Sequence, residues 1–107
     1  MKNGLLSLLM GSNSFVLSDS TSSVTPEDLD IVSAAIGKEW RRLGRALNIT
    51  DGVLDQIHMD YNIAGIYEVM YQILNKWVQR EARNATKRVL AEKLHEIERD
   101  DIAQDIK

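Results

Sequence analysis

Between positions 66 and 77 the apolar side chains Ile66, Val69, Met70, Ile73, Leu74 and Trp77 follow the i, i+3, i+4, i+7, i+8, i+11 series, which gathers all of them on one stripe of an α-helix. A strand returns to the same face every second residue and has no register that collects this set. Shorter runs with the same spacing lie on either side. Thr25-Pro26-Glu27-Asp28 opens a first helix: a capping hydroxyl, proline where the first helical residue has no partner for an N–H, then two acids favourable to the helix dipole. Its inner line is Leu29, Val32 and Ile36, and Gly37 lets the chain turn out of it. A second helix, about Lys38 to Leu47, aligns Trp40, Leu43 and Leu47. Asn48-Ile49-Thr50-Asp51 breaks and recaps the chain for a third, with Leu54, Ile57 and Tyr61 on its inner side. After the long helix, Thr86 caps a fifth whose buried line is Leu90, Leu94 and Ile97. Asp100 to Ile106 makes a short sixth with Ile102 and Ile106 inward. Six short amphipathic helices joined by tight turns predict an all-α bundle, its core built on Trp40, Leu43, Ile57, Leu74, Trp77, Leu90 and Leu94.

The chain's 107 residues leave room for one such domain and a tail. Residues 1–24 differ from the rest in being serine-rich and almost uncharged, without a sustained period, and read as a flexible leader, with the domain over 25–107. A core this small has no space for a large cofactor, so function is expected on the surface. The sequence contains no cysteine, which excludes disulfides, thiolate catalysis and Cys-based zinc sites and suits a reducing, cytoplasmic setting. No apolar run reaches the length of a membrane span. The short Leu5-Leu6-Ser7-Leu8-Leu9-Met10 stretch lacks the cleavage site of a secretion signal.

Enzymatic chemistry finds little support. The serines cluster in the leader, far in sequence from either histidine, and no glycine-rich phosphate loop is present. Asp55-x-x-His58 and Glu92-x-x-His95 have the carboxylate–histidine spacing of di-iron bundles, but Ile57 and Leu94 are what point inward beside them, so no metal and no cofactor is expected. The second helix, by contrast, concentrates Lys38, Arg41, Arg42 and Arg45, with the arginines expected opposite Trp40 and Leu43. The stretch from Asp51 to Glu68 holds Asp51, Asp55, Asp60 and Glu68 and no lysine or arginine. Arginine forms bidentate contacts with carboxylates at a low dehydration cost, so a basic side and an acidic side predict partner docking through Lys38, Arg41, Arg42 and Arg45, with Asp51 and Asp55 offered to the next molecule. The alternative is a helical nucleic-acid-binding domain that uses the arginine helix as its recognition element, although the adjacent acids and a net charge of −3 oppose it.

Ile36-Gly37-Lys38-Glu39-Trp40-Arg41-Arg42-Leu43-Gly44-Arg45-Ala46-Leu47 resembles the second-helix segment of Fas-associated adaptor death domains. Leu54-x-x-Ile57 and Asp60-Tyr61 continue that pattern. Tyr71-Gln72-x-Leu74-x-Lys76-Trp77-Val78-x-Arg80-Glu81, then Ala85-Thr86 with Leu90 and Leu94, is similar to the later helices of death domains from receptor-interacting kinases and insect immune-deficiency-type adaptors. The resemblance spans about Leu29 to Ile106. It implies the death-domain fold, a six-helix antiparallel bundle, and a non-enzymatic adaptor role: homotypic binding of other death-domain proteins (receptor, adaptor or kinase) in apoptotic or innate-immune signalling, self-association included, without nucleic acid or membrane insertion. It also implies that Arg41, Arg45 and Asp51 contribute to docking and that Ile49 supports the loop between the second and third helices.

Overall fold

The computed structural model describes residues 22–106, which form six α-helices: α1 Pro26–Ala35, α2 Trp40–Ala46, α3 Asp51–Tyr61, α4 Ile66–Glu81, α5 Lys87–Glu96 and α6 Asp100–Ala103. Single 3-10 turns at Gly37–Glu39, Asn62–Ala64, Ala82–Asn84 and Gln104–Ile106 tighten the joints. Local chemistry sets the helix starts. Thr25 and Asp28 form a reciprocal capping box, Asp28 N donating to Thr25 Oγ1 at 3.2 Å and Thr25 N to Asp28 Oδ2 at 2.9 Å. Thr50 accepts from Val53 N and Thr86 from Val89 N in the same role. Gly37 leaves α1 with φ +57° and Gly65 enters α4 with φ +102°, conformations that a side chain would strain.

The core is one continuous cluster around α4. Val69, Met70, Ile73, Leu74 and Trp77 are buried, and Leu29, Val32, Leu43, Leu54, Ile57, Leu90, Leu94, Ile102 and Ile106 close on them from the other helices. Two expectations need correction. Trp40 is not a core residue. It is half-buried at the edge, its indole stacked on the His58 ring at 5.0 Å and 5°, with the Arg41 guanidinium 4.8 Å from the ring centre. Tyr61 does not point inward, because the buried line of α3 ends at Ile57 and the ring lies at the mouth of a polar groove between α3 and α4.

The leader expected over residues 1–24 lies outside the described residues except for its last three. Those are pinned: Lys87 N donates to Ser22 O at 2.9 Å, Val24 N donates to Ala85 O at 3.0 Å, and Ser23 and Thr86 form an antiparallel bridge. Two arginines clamp helix ends across the fold. Arg80 donates to the carbonyls of Leu47 and Asn48 at 2.6 and 2.9 Å, and Arg99 donates to those of Ala35 and Ile36 at 3.1 and 3.2 Å. Each places a cation where the last carbonyls of a helix carry partial negative charge.

One joint is strained. Ala82 ends α4 at φ 53°, ψ −123°, a region that belongs to glycine. Ala82→Gly is therefore expected to stabilise the domain by about 1 kcal/mol after the extra unfolded-state freedom of glycine is subtracted. That corresponds to a rise of roughly 4–8 °C in Tm for a domain of this size, read by thermal melting. A lower Tm in the variant would show that the alanine is not strained.

Candidate interaction surface

The basic helix and the acidic stretch meet because of a glycine. A Cβ built on Gly44 would lie 2.5 Å from Leu54 Cδ2, so the bare Cα is what lets α2 and α3 pack this closely. That approach brings the charges of the two helices onto one another. Arg41 Nη2 donates to Asp55 Oδ1 at 2.8 Å, and Arg41 Nη1 lies 3.9 Å from Asp51 Oδ1. Arg45 Nε donates to Asp51 Oδ1 at 2.8 Å, and Arg42 Nη1 donates to Glu39 Oε2 at 3.0 Å. Lys38 is exposed on the 3-10 turn before α2.

Arg41, Arg45, Asp51 and Asp55 therefore meet in one region, while Arg42 pairs with Glu39 and Lys38 is not brought into contact with them, and the expected division into a basic side and a separate acidic side is corrected. The arginines and the aspartates pair within the domain and make a single patch of mixed sign. Nor does Arg41 stand opposite Trp40, since its guanidinium lies on that ring. Periodicity along one helix could not show this, because the pairing depends on where the next helix is laid down.

The pairs are solvent-exposed, with Arg45 and Asp51 side chains 57% and 60% accessible, so water screens them and they add little stability. Their value is orientation. The hydrogen bond from Arg45 holds the Asp51 carboxyl below the usual carboxylate range, and the same bond raises the Arg45 guanidinium. The pair thus persists from neutral pH down past ordinary carboxylate titration and opens only as pH falls through the lowered value. Arg45 spends Nε on this bond, and its two Nη groups stay available for an outside acceptor.

Four positive charges (Lys38, Arg41, Arg42, Arg45) sit among three carboxylates (Glu39, Asp51, Asp55), which leaves too little excess charge for a phosphate backbone and weakens the nucleic-acid alternative. Asp55 is engaged with Arg41, His58 is stacked on Trp40, and His95 Nδ1 lies 2.7 Å from Asp100. Among the described residues no three His, Asp or Glu side chains converge as metal ligands would. Ile49 is buried and its N–H donates to Gly44 O at 3.0 Å, which anchors the loop between α2 and α3. The helix-clamping roles of Arg80 and Arg99 went unread in the sequence, where the only signal was a cation near a helix end. Among the described residues no helix is long and apolar enough to cross a membrane.

Comparison with known proteins agrees with this architecture. The family model of the Death domain matches residues 26–107. Human receptor-interacting serine/threonine-protein kinase 1 is 40% identical over 85 residues, covering 78% of this chain and 13% of the kinase. The human tumor necrosis factor receptor type 1-associated DEATH domain protein is 34% identical over 85 residues, covering 75% of this chain and 27% of that protein. Mouse ankyrin-3 is 35% identical over 72 residues, covering 67% of this chain and 4% of its own length. The chain thus corresponds to a minor part of each of these relatives.

Proposed function

Because the chain belongs to the Death domain family, we propose that it is a non-enzymatic adaptor module that binds other death domains in apoptotic or innate-immune signalling, in the cytoplasm. The kinase activity in one relative's name belongs to that protein, and the residues matched here form an interaction domain. The α2–α3 patch is assigned as the docking surface. The observation that carries the assignment is Arg45: an exposed side chain fixed through Nε by Asp51, with no hydrogen bond from either Nη group among the described residues. A preoriented fork loses less freedom when it meets a carboxylate than a loose side chain does. Lys38 and Arg42 extend the same edge, and the neighbouring Asp55 refuses partners that bring carboxylates to the wrong place.

The test uses separately purified death domains of the human kinase and of the human adaptor as immobilised probes. Wild type is expected to bind at least one. Arg45→Glu is expected to weaken that binding by about tenfold or more, with the far-ultraviolet circular dichroism unchanged. Raising salt from about 50 to about 500 mM is expected to act in the same direction on wild type, since exposed charges are screened. Binding unaffected by Arg45→Glu removes the patch from the assignment. Failure of wild type to bind either probe or itself removes the module.

A further inference from the structure

Among the described residues the exposed large apolar side chains are Met59, Tyr61, Ile63 and Tyr67, and all of them fall on one corner, where α3 ends, the Asn62–Ala64 turn follows and α4 begins. Scattered singly, exposed apolar groups are ordinary; gathered on one corner they mark a contact surface. Ile63 is 98% exposed and Met59 71%, so neither contributes to the core. The rim is acidic. No lysine or arginine occurs between Arg45 and Lys76. Asp60 accepts from the Gln56 amide at 2.9 Å and Glu68 from the Gln72 amide at 2.6 Å, and among the described residues neither has a cationic partner. Tyr67 Oη is engaged with Asp30 of α1, to which it donates at 2.5 Å. The corner therefore suits an apolar segment that carries positive charge rather than negative.

The chain itself contains such a segment. Leu5-Leu6-Ser7-Leu8-Leu9-Met10 is an apolar run outside the helical domain, Lys2 precedes it, and no acid occurs before Asp19. The tether is long enough. It ends at Ser22, whose carbonyl accepts from Lys87 N at 2.9 Å at the start of α5. The α3–α4 corner lies at the opposite end of α4, a helix of 16 residues and thus about 24 Å long. Met10 and Ser22 are 12 positions apart, a stretch of chain that can span about 40 Å. Such a tether holds its far end at a local concentration on the order of a millimolar, which populates a contact that two separate chains would make only weakly.

We propose that the Leu5–Met10 segment docks on the Met59 and Ile63 corner of its own chain, its leucines against those two side chains and Lys2 toward Asp60 and Glu68. The occupant is argued from three observations together: an apolar corner with an acidic rim, an apolar segment with a cation and no acid, and a tether that reaches from one end of α4 to the other. Docked there, the segment covers apolar surface that the helices leave bare, and any partner that uses this corner has to displace it. The contact involves none of the α2–α3 patch residues and does not depend on their assignment.

The sequence contains no cysteine, so Ser12→Cys gives the full chain a single attachment point for a nitroxide, next to the apolar segment and outside the domain. With methionine and isoleucine methyl groups isotopically labelled, the nuclear magnetic resonance signals of Met59 and Ile63 are expected to broaden and to sharpen again when the nitroxide is reduced. Leu5→Ser, Leu6→Ser, Leu8→Ser and Leu9→Ser introduced together are expected to abolish the broadening while the circular dichroism of the domain stays unchanged. Spin-labelled chain mixed with isotope-labelled chain that lacks the nitroxide is expected to leave both signals sharp, since the contact is made within one molecule. Met59 and Ile63 signals that stay sharp in the spin-labelled chain, or broadening that survives the four serine substitutions, would overturn the proposal. So would broadening that passes between chains in the mixture, which would make a second copy the occupant.

Discussion

Truncating the Trp77 indole, as Trp77→Ala, is expected to remove about 3–5 kcal/mol of stability. Trp77 is 2% exposed, stands on α4, which packs against α1, α2 and α3, and belongs to the cluster of buried side chains. Deleting the indole forfeits its transfer free energy and leaves a cavity lined by groups held in place by other contacts, which limits collapse. A domain this small has a total stability of about 5 kcal/mol or a little more, so the variant is expected to be largely unfolded near body temperature. Urea titration followed by circular dichroism measures it. Trp40→Ala provides the contrast, with an expected loss less than half as large, because that ring is half-buried at the domain edge and the pocket it leaves opens to water. Equal losses from the two substitutions would mean that the edge position of Trp40 is wrong.

The second large effect is expected at Asp28. This carboxylate is 4% exposed and serves two elements at once: it closes the capping box at the start of α1 and lies 3.4 Å from Lys87 Nζ, whose side chain is 19% accessible. Asp28→Ala removes a cap contribution of about 1 kcal/mol and leaves the ammonium of a partly buried lysine without its counter-charge, for a combined loss of about 2 kcal/mol. The ammonium makes a further prediction. Lys87→Met in the Asp28→Ala background is expected to recover part of the loss, because the unpaired charge disappears while the aliphatic stem is replaced in kind. A double-mutant cycle on the urea midpoints reads this coupling, and strictly additive losses would show that the two side chains do not interact.

Asp28 also illustrates how far a residue's role can be read from its neighbours in the chain. As an acid in the first turn after Thr25 and Pro26 it marks a helix start, and that reading is local and correct. Its burial and its pairing with Lys87 follow from α5 beginning where α1 begins, an arrangement also fixed by the short backbone bridge from Ser22–Val24 to Ala85–Lys87. Arg99 repeats the lesson over a longer reach. Its guanidinium bonds to Glu39 Oε1 and to the carbonyls of Ala35 and Ile36, all more than fifty positions away, and no pattern within the last twenty residues announces it.

The charged side chains separate in the same way. That α2 is basic and the stretch after it acidic is plain from the order of residues. That the two neutralise each other is not, because it requires Gly44 to bring the helices close enough for Arg41 and Arg45 to reach Asp55 and Asp51. The hydrogen bond from Tyr67 to Asp30 was equally hidden, since the two residues are 37 positions apart.

Helix number, helix limits, caps and most of the core were set by the order of amino acids alone, because helical hydrogen bonds and capping contacts join residues at most a few positions apart and an apolar stripe declares its inner face. The partners of the charged side chains, the edge position of Trp40 and the outward turn of Tyr61 were settled only by tertiary packing. An ion pair or a stacked ring needs two groups within a few ångströms, and for groups on different helices that distance exists only after the helices have crossed.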